Sequence, residues 1–434
     1  MNVLKTSTML IQQPQDKQSS ALASYKKDSY NYITRDIQFR LRECFFGLGI
    51  RYLYFHERDN TLLISNISNG IVHLLNLSNG IFRSYNSHGS SVRKIKVFNN
   101  EIITGGWDGA VRITNYFTLK ERLMLGDRYM GRCPGFHITP DGKHIYSYSY
   151  DSDFFPPGKV LTNMVRKWSL DNGKLLKSIP ASKIQHTVRK GGSVISLNNR
   201  LYVCSDCGYF RIFNLQTSKL IKDIVTQHDF VSLTPMVQYN LILAYDSEGF
   251  VHFFNTIKNE IEFSVRGHAS HIMCLKIHPK NQDIVVSASS DGTVKFWQMP
   301  GFSLINTVEN YHRDIWSLVI FNDRLVIGNI EGEICVYDIR DLTDIQFLGR
   351  IVLAKESFVV QAMGSKKFYT NNITEMEVFN GNGETRITGK EAEYLLGESN
   401  DLNVLRELFG IEDRMNKQIG DKIKNIPQLQ ERFF

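Results

Sequence analysis

The 434-residue chain contains no run of 18 or more apolar residues, so no transmembrane helix is expected. Its N-terminus, MNVLKTSTMLIQQPQDK, lacks the apolar segment of a secretory signal. Asp16 and Asp28 dilute the bases of the first 35 positions, which argues against a mitochondrial presequence. Cysteine is sparse: Cys44, Cys133, Cys204, Cys207, Cys274 and Cys335 are too scattered for a disulfide framework, and a reducing compartment, cytoplasmic or nuclear, is expected. Proline is also scarce, at 10 residues, against 27 Phe and 19 Tyr, a balance that leans toward strands. Neither sign of charge dominates. The 51 Lys+Arg against 44 Asp+Glu leave +7, and 42% hydrophobic residues exclude a wholly disordered chain.

What is present repeats. A two-residue turn followed by an alternating strand recurs as NGIVHLLNL (69–77), DGAVRITNY (108–116), NMVRKWSL (163–170), CGYFRIFNL (207–215), EGFVHFFNT (248–256), DGTVKFWQM (291–299), EGEICVYDI (331–339) and, degenerate, TEMEVFNG (374–381). The turn glycines 70, 109, 208, 249, 292 and 332 are separated by 39, 99, 41, 43 and 40 residues, the long gap holding two units and an insertion. Asp-Gly and Asn-Gly supply the positive φ of a tight hairpin. Strands such as IMCLKIH (272–278) and DIVVSAS (283–289) precede the turn, and others such as SLINTV (303–308) follow the repeated strand. Four short strands at a period near 40 read as an all-β propeller, because one such sheet alone cannot bury both faces.

Within this frame, RGHASHIMCLKIHPKNQDIVVSASSDGTVKFWQM (266–299) resembles a WD repeat, with Gly267-His268, a turn Asp291 and Trp297 closing the third strand. The resemblance extends over about 48–389. It is weaker at Trp107-Asp108-Gly109 and Tyr337-Asp338, and degenerate where Glu331 and Cys207 stand for the turn Asp and Thr114 for the Trp. It implies a buried hydrogen-bond relay through His268, Asp291, Trp297 and either Ser287 or Ser289. The recurring His88, His228, His268 and His312 then read as blade corners before they read as catalysts.

Counting repeated strands favours eight blades, with seven plus a cap as the alternative. In the eight-blade reading, TRITG (385–389) or the N-terminal YITRDIQFRL (32–41) completes the last blade, and the second choice pairs the two chain ends. Three regions follow: a polar, flexible N-terminal arm at 1–31, the WD-repeat β-propeller at 32–389, and a short α-helical tail at 390–434. In the tail, Asp401 caps a helix carrying Leu402, Leu405, Leu408 and Phe409, and Gly410 ends it. A second stretch places Met415, Ile419 and Ile423 four residues apart. These helices dock either on the propeller's own flank or on a partner.

Two further features suggest contact surfaces. The third unit carries an insertion, YSYDSDFFPPGKVLTN (148–163), with Phe154 and Phe155 at its centre, and long loops on repeat scaffolds tend to carry function. Between 158 and 190 stand eight bases, among them Lys174, Lys177, Lys183, Arg189 and Lys190, against the single acid Asp171. That run is either a solvated face or a patch for nucleic acid, anionic lipid or an acidic protein surface. Val188-Arg189-Lys190-Gly191 faintly resembles a phosphoinositide-binding propeller motif, and LVIGNIEGEICVYDIR (325–340) resembles the box of WD-repeat substrate receptors of cullin-RING ubiquitin ligases.

Catalytic and metal signatures are lacking. Cys204 and Cys207 form a lone CxxC with no second pair nearby, the Asn380–Gly383 turn has no Walker lysine after it, and no G-x-S-x-G elbow occurs. No metal, cofactor or enzymatic activity is expected. The function expected is a non-catalytic protein-interaction scaffold, a subunit of a multiprotein complex. A nucleic-acid or ribonucleoprotein binder is the alternative, and a cullin-RING substrate receptor the lesser one.

Overall fold

Paired residues of positive φ at three hairpin tips fold the inner strands of this chain back on themselves. The structure, a computed structural model, describes residues 37–41 and 49–411 apart from internal stretches, the longest being 151–162, 182–190 and 389–400. Asn99-Asn100 (φ 48° and 60°), Asn198-Asn199 (49° and 56°) and Asn322-Asp323 (48° and 57°) all lie in the left-handed region. Asn and Asp tolerate that region, and two such residues match the twist of the strands they join. The register agrees: Phe98 pairs Glu101, Leu197 pairs Arg200 and Phe321 pairs Arg324.

Successive strands form antiparallel sheets, each from one continuous stretch of chain. The first blade holds β2 (Ile50–His56), β3 (Thr61–Asn66), β4 (Ile71–Asn76) and β5 (Phe82–Asn86). The second holds β6 (Val92–Phe98), β7 (Glu101–Gly106), β8 (Val111–Asn115) and β9 (Glu121–Leu125). The third holds β10 (Gly135–Ile138), β11 (His144–Tyr150), β12 (Asn163–Ser169) and β13 (Leu175–Pro180). The fourth holds β14 (Gly192–Leu197), β15 (Arg200–Ser205), β16 (Tyr209–Asn214) and β17 (Leu220–Val225). The fifth holds β18 (Phe230–Met236), β19 (Leu241–Asp246), β20 (Phe250–Asn255) and β21 (Glu260–Arg266). The sixth holds β22 (Ile272–Ile277), β23 (Ile284–Ser289), β24 (Thr293–Gln298) and β25 (Ser303–Glu309). The seventh begins with β26 (Ile315–Phe321), β27 (Arg324–Asn329), β28 (Glu333–Asp338) and β29 (Gln346–Leu353).

Each blade–blade interface has its own apolar cluster, seven in all. Second strands such as β3, β19 and β23 are buried along their whole length, because a neighbouring blade covers each face. Fourth strands such as β13 and β17 are exposed at nearly every position.

The ring closes between the seventh blade and the first, which corrects the expected eight blades to seven. Phe55 stacks on Phe321 with centroids 3.6 Å apart, and the Leu53 amide donates to Ser317 Oγ at 2.8 Å. Glycine makes this approach feasible. A Cβ built on Gly328 falls 2.4 Å from Ile50 Cγ2, closer than any side chain tolerates.

The strands assigned to an eighth unit do something else. β30 (Phe358–Ala362) pairs with the outer edge of β29, β31 (Phe368–Thr370) pairs with β30, and the seventh sheet reaches six strands. β1 (Ile37–Leu41), β32 (Met376–Asn380) and β33 (Arg386–Thr388) form a separate three-stranded sheet. The two chain ends therefore do pair, Ile37 opposite Asn380 and Leu41 opposite Met376, but outside the ring. Alternating strands with no free position in a closed ring satisfy their backbone groups at an exposed sheet edge instead.

One α-helix is present among the described residues, α1 (Leu402–Leu408), besides a single 3-10 turn at Val237–Tyr239. Asp401 caps it by accepting from the Asn403 amide at 2.9 Å, and Gly410 follows it at φ 62°. The arm at 1–31 and the stretch around Met415, Ile419 and Ile423 lie outside the described residues.

Candidate functional site

The hairpin turn between the second and third strands of the sixth blade brings four polar side chains together. Gly292, at φ 83°, completes the turn and leaves Asp291 facing the corner before β22. There His268 Nδ1 lies 3.0 Å from Asp291 Oδ2, and its Nε2 lies 2.6 Å from Ser287 Oγ. Trp297 donates from Nε1 to the same Ser287 oxygen at 2.8 Å. The hydroxyl in this relay is thus Ser287, while Ser289 Oγ donates to the Ser270 carbonyl. Burial opposes ionisation of Asp291, but hydrogen bonds from His268, Thr293 and the Ala269 amide outweigh it and hold the carboxyl well below its ordinary range.

The second blade carries a shorter version. His88 lies 2.7 Å from Asp108 and 2.9 Å from Thr104 Oγ1, and Thr104 meets Ser87 Oγ at 2.8 Å. Burial again works against the charge, yet His88 and the Gly89 and Ala110 amides bring Asp108 down to about 2. In the third blade the described residues keep the Trp168–Ser147 bond of the pattern, at 2.9 Å. The fifth blade is rewired. Asp246 stands on β19 rather than in the turn and lies 3.3 Å from His228 Nδ1 and 3.0 Å from His252 Nε2. These three ligand atoms lie within 4.8 Å of one another, the one such set among the described residues. Hydrogen bonds already account for it, since His252 Nδ1 also meets Ser264 Oγ at 2.7 Å, and Asp246 accepts from the Glu248 and Phe250 amides. The inference from sequence missed Asp246 and His252 because neither occupies the turn position. These corners fasten blades.

The residues read from sequence as partner-binding separate into three groups. Phe154, Phe155, Lys183, Arg189 and Lys190 lie outside the described residues, as do Cys207 and His312. Leu402, Leu405 and Phe409 are corrected from partner-binding to structural. Leu405 and Phe409 are completely buried in the cluster that joins the first and seventh blades, and Leu402 packs against it. Phe409 stacks on Phe321 with centroids 6.0 Å apart, so the apolar stripe of α1 is consumed by the chain's own core.

Lys174 and Lys177 remain at the surface, on the turn into β13 and on the strand itself. Lys177 donates from Nζ to the Thr217 carbonyl at 2.9 Å, linking the outer strand of the third blade to the turn before β17 in the fourth. Between these lysines and their counterparts Lys219 and Lys222 stand Leu175, Leu176, Leu220, Ile221 and Val225, which are 39–64% exposed. Asp223, the acid on β17, is engaged in a two-pronged ion pair with Arg211 at 2.9 and 3.0 Å. The flank therefore offers apolar side chains framed by positive charge. In the segment that resembles the ligase-receptor box, Arg340 donates to Asp338 at 2.6 Å, and Arg324 lies 3.2 Å from the same carboxylate.

Comparison with known proteins matches the "WD domain, G-beta repeat" family model to residues 259–298. The chain is similar to "Ribosome biogenesis protein YTM1" of Vanderwaltozyma polyspora, 24% identical over 317 residues, covering 62% of this chain and 69% of that protein. The protein of the same name from Eremothecium gossypii is 22% identical over 286 residues, covering 57% of this chain and 64% of its own length. A shorter stretch of 92 residues is 29% identical to "Non-functional target of rapamycin complex subunit LST8-2" of Arabidopsis thaliana, covering 20% of this chain and 29% of that protein. Among solved structures, the computationally designed Ika8 protein superposes with a TM-score of 0.48 at 18% identity, over 67% of this chain and 96% of that one. No helix among the described residues is long and apolar enough to cross a membrane.

Proposed function

This chain belongs to the WD-repeat β-propeller family, and from that premise we propose that it is a non-catalytic protein-interaction subunit of a multiprotein assembly. The yeast relatives named for ribosome biogenesis support placing that assembly in the same process, and with it a nuclear location. The observation that carries the reading is the flank of the third and fourth blades. The outer strands of these two blades, linked by the Lys177–Thr217 bond, leave five large apolar side chains exposed, and exposed apolar surface marks interaction sites. Lys174, Lys177, Lys219 and Lys222 around them fit an acidic, amphipathic segment of a partner protein, with charge guiding encounter and apolar burial giving residence.

The test is affinity purification of the tagged full-length protein from its own cell after nuclease treatment, beside a Leu176→Asp/Ile221→Asp double variant. A small stoichiometric set of proteins, lost in the variant while its melting temperature is unchanged, is the expected result. Partners that persist in the variant overturn the flank assignment. Partners that vanish on nuclease treatment overturn the scaffold reading in favour of nucleic-acid binding, whose affinity falls steeply with salt.

A further inference from the structure

The bonds that fasten the corner of the fifth blade are also the bonds a protein sets behind the ligands of a metal ion. His252 on β20 turns Nδ1 to Ser264 Oγ at 2.7 Å, and its Nε2 faces Asp246 Oδ2 at 3.0 Å. Asp246 takes the Glu248 and Phe250 amides on Oδ1, at 2.9 and 2.8 Å, and turns Oδ2 toward both imidazoles. His228 joins them from the segment between β17 and β18, its Nδ1 3.3 Å from the same oxygen.

We propose that His228 Nδ1, Asp246 Oδ2 and His252 Nε2 bind a divalent transition metal ion of the zinc type, with water in the fourth position on the exposed side of His228. Three observations carry it. First, the donors and their spacing fit. Two imidazoles and one carboxylate are a zinc donor set, and ligands at about 2.0–2.1 Å in a tetrahedron stand about 3.4 Å apart. The separations from Oδ2 are 3.0 and 3.3 Å, and the third is within 4.8 Å. His228 lies outside any strand, so a swing of its ring closes that last gap. Second, the outer partners are in place. With Ser264 Oγ accepting from Nδ1, His252 presents a lone pair on Nε2. Burial opposes the charge of Asp246, yet the bond from His252 and the Phe250 amide hold its carboxyl below the ordinary range, so an anion is ready for the cation. The Phe230 ring, 5.2 Å from that of His252, and the Phe250 ring, 5.9 Å from that of His228, give the corner apolar walls, where such attraction is strongest. Third, fastening alone does not call for this set. In the first blade His73 holds the same register, opposite Ile64 and Ser84, and bonds Ser84 Oγ at 2.8 Å, with neutral Asn66 at the position of Asp246. In the second and sixth blades the corner histidine meets a hydroxyl with Nε2, Thr104 or Ser287, whereas Ala244 at that strand position offers none.

The full-length protein, stripped with EDTA, is titrated with Co2+ and then with Zn2+. Uptake of one equivalent is expected, with visible bands of nitrogen and oxygen ligation, displacement of cobalt by zinc, and a higher melting temperature with zinc. His228→Gln and Asp246→Asn each weaken binding at least about tenfold, while His73→Gln, in the equivalent place on the first blade, leaves it unchanged. Zinc also shields His228, whose side chain is 34% exposed, from diethyl pyrocarbonate, read by peptide mass spectrometry. That measurement needs no variant and decides the matter if the variants fail to fold. Absence of stoichiometric uptake overturns the proposal. So does a thiolate-to-cobalt charge-transfer band, which assigns the ion to cysteine, or binding that His228→Gln and Asp246→Asn leave intact, or modification of His228 at the same rate with and without zinc.

Discussion

Arg406 donates from Nε to the carbonyl oxygen of Ser78 at 2.7 Å, across 328 residues of sequence. Through this bond the helix α1 reaches past the seventh blade to the turn that follows the third strand of the first. Arg324 returns the contact by donating to the Leu408 carbonyl at 3.1 Å. The helix thus spans the seam where the ring closes, with Leu405 and Phe409 beneath it. Among the described residues no strand is exchanged between the first and seventh blades, so closure otherwise rests on side-chain packing and on bonds such as that from the Leu53 amide to Ser317.

The seam helix should therefore stabilise the whole ring. Leu405→Ala removes a fully buried side chain and is expected to cost about 2–5 kcal/mol. Arg406→Ala should cost about 1 kcal/mol, the ordinary net worth of a hydrogen bond. Urea unfolding checks both. Equal and negligible losses would show that the helix merely rests on a ring already closed without it.

A second prediction concerns the closest approach at that seam. Gly328→Ala drives a Cβ to within 2.4 Å of Ile50 and must displace the first blade from the seventh. A loss of about 1–3 kcal/mol is expected, in line with overpacked cores. Gly89→Ala is the control, since a Cβ there meets nothing within 4 Å. A Gly328→Ala protein that melts with the control sinks the idea that this contact limits closure.

The period, the strand alternation and the His268 corner were legible in the sequence because each depends on neighbours within one repeat. Blade number was not. Residues 358–380 have the same alternation as a blade, and what decides their fate is the strand they pair with, β29 for Phe358–Ala362, which no local pattern encodes. The helix presents the same contrast: Asp401 announced its start, while the destination of Leu405 and Phe409 depended on an apolar seam formed by residues hundreds of positions away. Charge, too, was legible only where it is local in sequence. The run at 158–190 stands out because its bases are adjacent in sequence, whereas Arg51, Arg93 and Lys276 are scattered over the first strands of three blades. Arg51 and Arg93 hold the second position of β2 and β6 and Lys276 the fifth of β22, so no single aligned position marks all three.

The last prediction is a two-stage loss of stability in acid. Burial favours the neutral ring of His73 and lowers its pKa from 6.5 to about 4. Burial, then the charges of Lys94 and Lys96, bring His137 to about 3. Between pH 6.5 and these values the unfolded chain binds protons that the folded chain refuses, so stability falls as pH falls through that window. The aspartates come later. Asp108 titrates at about 2 instead of 3.8, so its contribution is complete above its unfolded pKa and is lost as pH drops from there toward 2. His73→Gln retains a polar group beside Ser84, whose Oγ lies 2.8 Å from the imidazole Nδ1, but cannot titrate. It should flatten the pH dependence between 6.5 and 4, by up to about 3 kcal/mol for a shift of this size, and leave the acid limb intact. Asp108→Asn should do the reverse, lowering stability at neutral pH and flattening the limb below pH 4. Urea midpoints collected from pH 7 to 2.5 distinguish the two. A His73→Gln protein whose slope above pH 4 matches the wild type would place the early loss elsewhere than on its buried imidazole.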